Sequence, residues 1–361
     1  MMIAGGGTGG HLFPGIAVAE AARRRDPETP ILFVGSARGI EARVVPGSGF
    51  ELALLPAAPL RGRRVAGKVA ALGALGAATV RARALVLRFA PDVVIGLGGY
   101  ASAPAVLAAR SRRIPVVLLE QNAKPGMTTR FLARLADRVC VSFPETTVGF
   151  TAGQAVVTGN PVRSFAAPAA GPEPARRPGL TIAIVGGSAG AHRLNEAGPA
   201  LRAGLADVPG LRIVHQTGSA DEAAVRAAYA HAGATDVDVR AFVTDMGALY
   251  AAADLIVCRA GATTIAELAA QGLPAIFVPY PHAADDHQRA NAETLVRAGA
   301  ACMVLDHEAT GARLADEVRA LIATPDVLPE MRRRMRQFAR PDAADRVLAV
   351  VDGLVAREGR P

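Results

Sequence analysis

"AGGGTGGHLFPGIAVAE" occupies residues 4–20 and sets five glycines, Thr8 and His11 directly ahead of an apolar helical pattern. So few side chains give no core. They do allow a ligand to approach backbone N–H groups, and they supply the positive φ of a tight turn. Leu12, Ile16, Ala19 and Ala22 recur at helical spacing, and Arg23, Arg24 and Arg25 close the run. The start of that helix points its positive end back at the loop, which suits an anion. A second stretch, "LTIAIVGGSAGAHRLNEA" (180–197), repeats the order of strand, glycine loop and helix start.

Between and after these two stretches, short β-branched runs alternate with longer Ala/Leu/Arg helical patterns. "ILFVG" (31–35), "DVVIGLGG" (92–99), "PVVLLE" (115–120) and "DRVCVSF" (137–143) read as buried parallel strands, and "LRIVHQTG", "VDVRAFV", "ADLIVCRAG" and "PAIFVPY" supply more. "AAPAAGPEPARRPG" (166–179) is placed where a linker belongs. At 361 residues the chain exceeds what one core usually supports. The expected architecture is therefore two doubly wound α/β domains, with a ligand held between them at the carboxyl ends of the strands.

Composition narrows the function. A hydrophobic fraction of 51% with 20% charged residues describes a globular chain. The net charge of +8 points to an acidic partner, either phosphates or an anionic membrane surface. Nucleic acid is disfavoured, because aromatics are 4%, Trp is absent and no basic stretch carries stacking rings. Cys140, Cys258 and Cys302 lie far apart among apolar residues and read as core thiols of a reducing compartment. No signal peptide opens the chain, and its longest apolar run is broken by glycines, Ser102 and Pro104. Neither glycine loop matches the dinucleotide fingerprint. Glu41 stands beyond the first loop, but in a helix-like "GIEARVV" rather than at a strand end.

The most informative stretch is "CRAGATTIAELAAQGLPAIFVPYPHAADDHQRANAETLVRAGAA" (258–301). Gly261 ends a strand, Thr263 or Thr264 can cap the following helix, and Glu267 sits one turn inside it. A carboxylate there complements the helix dipole and can also accept both hydroxyls of a ribose. His282, Asp285, Asp286, His287 and Gln288 crowd a Pro-punctuated loop. Recognition of sugar hydroxyls by Gln288 and Asn291 fits that loop better than a metal site, since no distant ligand supports one.

Taken together, "GGTGGHLFPGIAVAE", "GGYASAPAVLAA", "EQNAKPG", "GNPVR", "GGSAGA", "FVTDM" and "GATTIAELAAQGLPAIFVPYPHAADDHQ" closely resemble the bacterial MurG family of peptidoglycan glycosyltransferases, in family order over nearly the whole chain. The resemblance implies a GT-B fold: two Rossmann-like domains whose parallel sheets face a central cleft, with a C-terminal helix returning to the first domain. The implied bounds are 1–160 for the acceptor and membrane side, 161–340 for the donor side and 341–361 for the returning helix, kinked at Pro341. The implied reaction moves N-acetylglucosamine from UDP to the 4-hydroxyl of undecaprenyl-diphospho-N-acetylmuramoyl-pentapeptide, with inversion and without metal or cofactor.

Carried over residue by residue, the resemblance brings Thr8, Gly9 and Gly10 to the donor. It sets Asn122 and Gln288 on the sugar, Arg163 and Ser188 on the diphosphate, and the backbone of Val243 on the uracil. Ala262, Thr263, Thr264, Ile265, Ala266 and Glu267 wrap nucleotide and sugar, with Asn291 nearby. Gly98, Gly99, Tyr100 and Ser102 take the acceptor diphosphate. His11, at the tip of the first loop, is the candidate general base, because an imidazole titrates near neutrality. The implied place is the cytoplasmic face of the inner membrane, among proteins of wall assembly.

Three departures from the family pattern stand out. Only Met1 to Ala4 precede the first loop, which reads as a strand clipped by a misassigned start. Ala189 replaces a larger residue. Segment 60–89 has Gly73, Gly76 and Thr79 where bulky apolar residues are expected, yet it keeps Arg61, Arg63, Arg64, Lys68, Arg81 and Arg83. An epimerase of the same donor, a silent nucleotide-sugar binder and a lipid galactosyltransferase share parts of the pattern.

Overall fold

The structure, a computed structural model, describes residues 1–37, 39–56, 65–162, 179–187, 190–234 and 236–357, the side chains of 65–72 and 357 excepted. The chain divides into two units, one of residues 1–163 and 340–361, the other of residues 164–339. The first unit runs β1 (Met2–Ala4), α1 (Gly9–Arg25), β2 (Leu32–Ser36), α2 (Glu41–Gly47), β3 (Glu51–Leu55), α3 (Val65–Phe89), β4 (Val94–Gly96), α4 (Ala103–Arg110), β5 (Val116–Glu120), α5 (Met127–Ala133), β6 (Arg138–Val141) and β7 (Ala155–Val157). The second runs β8 (Thr181–Val185), α6 (His192–Gly204), β9 (Arg212–Gln216), α7 (Glu222–His231), β10 (Val237–Arg240), α8 (Met246–Ala252), β11 (Leu255–Cys258), α9 (Ala262–Gln271), β12 (Ala275–Phe277), α10 (His287–Arg297), β13 (Ala301–Met303), α11 (Gly311–Ile322) and α12 (Val327–Arg336). A last helix, α13 (Ala343–Arg357), belongs to the first unit.

Both sheets are parallel, in the orders β3-β2-β1-β4-β5-β6-β7 and β10-β9-β8-β11-β12-β13. Each order reverses at one place, β1 beside β4 and β8 beside β11. The loops leaving two such neighbours part to opposite faces and open the crevice where α/β sheets hold ligands. The first glycine loop and "GGYAS" leave β1 and β4. The second glycine loop and "RAGATT" leave β8 and β11. Sequence order has thus put all four motif loops at the two switch points.

Alternating strand residues bury both faces of the first sheet. Ile3, Phe33, Ile95 and Val117 pack with Leu12 and Ile16 of α1 and with Val347 and Val351 of α13. Met2, Val34, Val94 and Val116 pack with Val86 of α3, Val106 of α4 and Leu132 of α5. The hold on α13 is mainly apolar. Its ion pairs, Asp345 and Asp352 with Arg25, are at least two-fifths exposed on both sides, and such pairs contribute little.

The structure corrects several readings. β4 stops at Gly96, because the chain turns out of the sheet through Leu97 into two left-handed glycines, Gly98 and Gly99. β3, β7 and β13, all at sheet edges, escape a search for buried runs because β7 and β13 are three residues long and β3 is largely exposed. Pro341 does not kink a continuous helix. It lies between α12 and α13 and separates them, since it cannot donate to a helical ladder. The linker at 166–178 lies outside the described residues. Cys140 and Cys258 are buried and Cys302 is half-buried, all as free thiols. Burial pushes the Cys140 thiol up to about 12.

A polar network fills the interior behind the second glycine loop. Asn195 Nδ2 donates to the Thr217 carbonyl at 2.9 Å and to Asp221 Oδ2 at 2.7 Å. Its Oδ1 therefore faces His215 Nε2 at 3.2 Å, and His215 Nδ1 lies 3.0 Å from the Tyr229 hydroxyl. The amide orientation selects the neutral tautomer that donates from Nε2 and accepts from Tyr229. Burial lowers the His215 pKa from 6.5 to about 4. Between those values the unfolded chain binds a proton that the folded chain refuses, so stability should fall as pH drops through this window. The full loss, complete below about pH 4, is about 3 kcal/mol. Urea midpoints measured from pH 7 to 4 check it: the wild type should show this extra slope and His215→Gln should lack it. Equal slopes would remove His215 as the titrating group.

Candidate active site

In the first unit the chain leaves β1 through Gly5, Gly6 and Gly7, all at positive φ, and Thr8 in extended geometry is the N-cap of α1. Thr8 Oγ1 and His11 Nδ1 are 3.0 Å apart, a bond that sets the half-buried ring on the first turn. The ring stands over Gly98: a Cβ there would lie 3.2 Å from His11 Cδ2 and 3.5 Å from Nε2. Gly98 also adopts φ 86°, so both backbone and space call for glycine. Gly99 approaches the Gly6 carbonyl, and Tyr100 lies beside Gly7. Thr8, Gly9, Gly10, His11, Gly98, Gly99 and Tyr100 are thus gathered where β1 and β4 end.

Ser102 sits differently. It is buried, and its hydroxyl donates to the Gly99 carbonyl at 2.9 Å, so it shapes the turn from within. The 120–126 loop is tied down by a buried carboxylate. Glu120 Oε1 accepts from the Asn122 N–H (3.0 Å) and Nδ2 (3.2 Å), and Oε2 accepts from the Gly126 N–H (3.0 Å). Gln121 Nε2 donates to the Leu97 carbonyl at 3.2 Å, joining this loop to the one after β4. Asn122 is held by Glu120 and remains half-buried.

In the second unit, α9 begins beside the end of β11. The N-cap is Gly261 and no side chain caps the helix, which corrects the threonine-cap reading. Gly261 takes the extended cap geometry itself, so Ala262, Thr263 and Thr264 are already the first helical turn. Thr263, Ile265 and Glu267 are buried, whereas Thr264 and Ala266 are half-buried. Glu267 is 3% exposed, and its Oε2 accepts from the Tyr250 hydroxyl of α8 at 3.0 Å. Asn291 is fully buried on α10, and its Nδ2 donates to the Ala260 carbonyl at 3.2 Å, which secures the turn before α9.

Gln288 Oε1 accepts from the Tyr280 N–H at 2.9 Å, folding the His282–His287 loop over two left-handed aspartates, Asp285 and Asp286. Val243 is buried in the loop beyond β10. Arg163, Ser188 and Ala189 lie outside the described residues. Sequence reasoning passed over Arg259, whose guanidinium donates to the Val278 and Pro279 carbonyls, pairs with Asp306 and stacks over Tyr280. One arginine in an Arg-rich chain carries no local signal. Tyr250 was missed because its partner, Glu267, lies 17 positions further along the chain.

The model of the glycosyltransferase family 28 N-terminal domain matches residues 1–141, and that of the family's C-terminal domain matches residues 181–347. The chain belongs to glycosyltransferase family 28. This family 28 chain is 45% identical, over 99% of its length and 98% of the relative's, to the UDP-N-acetylglucosamine--N-acetylmuramyl-(pentapeptide) pyrophosphoryl-undecaprenol N-acetylglucosamine transferase of Geobacter sulfurreducens. The enzyme of the same name from Geobacter sp. strain M21 is 47% identical, over 97% and 95%. The crystal structure of Acinetobacter baumannii MurG superimposes with a TM-score of 0.79 at 36% identity, covering 98% of both chains. A UDP-GlcNAc 2-epimerase from Neisseria meningitidis matches with a TM-score of 0.67 at 14% identity, a likeness of fold alone. The two Rossmann-like units are those of a GT-B glycosyltransferase.

Proposed function

We propose that this family 28 enzyme transfers N-acetylglucosamine from UDP to undecaprenyl-pyrophosphoryl-N-acetylmuramyl-pentapeptide, a step of peptidoglycan synthesis. The observation that carries the reading is identity of 45–47% over nearly the whole chain to transferases of that name. In the reaction the acceptor's 4-hydroxyl oxygen attacks the anomeric carbon, the bond to UDP breaks with inversion, and the hydroxyl proton passes to His11. Arg163, Ser188 and the helix N-termini of α6 and α9 take up the charge of the departing UDP. Glu267 holds the ribose, Val243 the uracil, Asn122, Gln288 and Asn291 the sugar, and Gly98 to Ser102 the acceptor diphosphate. Incubation with UDP-N-acetylglucosamine, with and without the lipid-linked acceptor, tests it. UDP release that requires the acceptor supports transfer. Conversion of the nucleotide sugar without acceptor would mark an epimerase, and no release a silent binder.

We further propose docking on the membrane's cytoplasmic face, beside proteins of wall assembly, a reading that the lipid-linked acceptor supports. No helix among the described residues is long and apolar enough to cross a membrane. α3 and α5 flank α4 on one side of the first sheet and expose Val80 and Leu87, and Met127 and Phe131, respectively. Arg81, Arg83, Arg88, Arg130 and Arg134 are exposed on the same layer. Apolar side chains therefore supplement the charge in this segment, while Arg61, Arg63, Arg64 and the Lys68 side chain lie outside the described residues. Co-sedimentation with anionic liposomes should be strong at low salt, at about 1 kcal/mol per basic residue near the surface, and should fall steeply as salt screens it. Salt-independent binding, or none, would refute docking by charge.

A further inference from the structure

We infer that Glu41 is a positioning residue for the first glycine loop, holding the Gly7 N–H so that His11 stands at its working place; this rests on the reading of His11 as the base. Glu41 opens α2, and a carboxylate in a first turn commonly does no more than complement the helix dipole in solvent. This one is fully buried and turned away from solvent. Its Oε1 accepts from the Ser36 N–H at 2.8 Å and the Ser36 hydroxyl at 2.9 Å, at the end of β2. Its Oε2 accepts from the Gly7 N–H at 2.8 Å, one residue before the cap of α1. Among the described residues its partners are N–H and O–H donors, with no cation.

Space around the carboxylate has been cleared for this grip. A Cβ at Gly6 or Gly39 would run into the Glu41 carboxyl and one at Gly35 into its Cγ; Gly6 lies in the loop after β1, Gly35 within β2 and Gly39 in the turn after β2. The Gly7 N–H, held from beneath, faces the protein. Ligand contact is thereby left to the residues that follow, Thr8 to His11. Burial pushes the Glu41 carboxyl up, but the Gly7 and Ser36 donors outweigh it and keep the group below the usual carboxylate range. It is therefore ionised wherever the enzyme works. Glutamine at 41 would keep the shape but set an amide N–H₂ against one of the existing donors, releasing either the loop or Ser36.

The test compares Glu41→Gln, Glu41→Asp, Ser36→Ala and His11→Ala. Each is assayed for transfer with UDP-N-acetylglucosamine and the lipid-linked acceptor, for UDP affinity by calorimetry, and for amide hydrogen exchange over residues 5–11. Glu41→Gln should lose about 10²-fold in kcat, the loss that a misplacement near 1 Å brings. Its UDP affinity should be unchanged and its exchange over residues 5–11 faster. Ser36→Ala removes a donor that does not belong to the loop, so it should lower thermal stability and keep kcat. If Glu41→Gln does not fold, Glu41→Asp, one methylene short, is judged on the same measurements. Wild-type kcat with unchanged exchange overturns the inference, as does an equal loss of kcat in Ser36→Ala. Should His11→Ala keep its rate, the base reading fails, and the exchange of the Glu41 variants still decides the anchoring.

Discussion

His11→Ala should bind UDP with wild-type affinity and transfer N-acetylglucosamine about 10²–10⁴-fold more slowly, the range expected when a general base is lost. The expectation follows from where the ring stands. Thr8 Oγ1 meets one ring nitrogen and the other lies over Gly98, at the switch point of the first sheet. The competing role is that of a residue that only orders the loop. That role predicts faster loop exchange with more than about a tenth of wild-type kcat kept, above anything that base loss would leave. Single-turnover rates at saturating donor, with calorimetric UDP affinity on the same preparation, separate the two.

Glu267→Ala should weaken UDP binding by about 10–10²-fold for each ribose bond lost, since charge-assisted hydrogen bonds are worth about 1.5–3 kcal/mol. The carboxylate is buried and already accepts from Tyr250. A purely structural role is therefore a concrete rival, in which Glu267 fastens α9 to α8. Tyr250→Phe removes that fastening and leaves the carboxylate. If Glu267 serves only Tyr250, both variants should lose thermal stability alike and keep UDP affinity. If it serves the ribose, Glu267→Ala alone should lose affinity. Unchanged affinity in a folded Glu267→Ala protein would take the residue out of the site.

The glycine loops show how far local sequence carries. Glycines followed by an apolar 3.6-residue period define a turn that enters a helix, and Leu12, Ile16, Ala19 and Ala22 are all buried on α1 as that period requires. Continuous apolar runs such as "VVLLE" reveal strands buried on both faces, because such strands need no alternation. β7 and β13 are only three residues long and β3 is largely exposed, so none of them offered a buried run of strand length. The threonines after Gly261 looked like caps because their chemistry suits a cap. The backbone placed Gly261 there instead, two residues before Thr263.

The sequence by itself determined the two α/β units, the glycine loops that leave their strands and the residue types that can do glycosyl transfer. Spacing along the chain and the chemistry of each side chain are local properties, and turns, helices and buried strands are built from them. Only the tertiary structure decided which groups hold those loops. Glu41 reaches Gly7 across 34 positions and Tyr250 reaches Glu267 across 17. His215 is kept neutral by burial, and Asn195 and Tyr229 fix its tautomer. Such pairs exist because the strand order brings distant loops together and excludes water from them. A buried polar group there must find a partner or lose the cost of its desolvation. No window of sequence contains both members of the pair, so the partner becomes legible only once the sheet order is known.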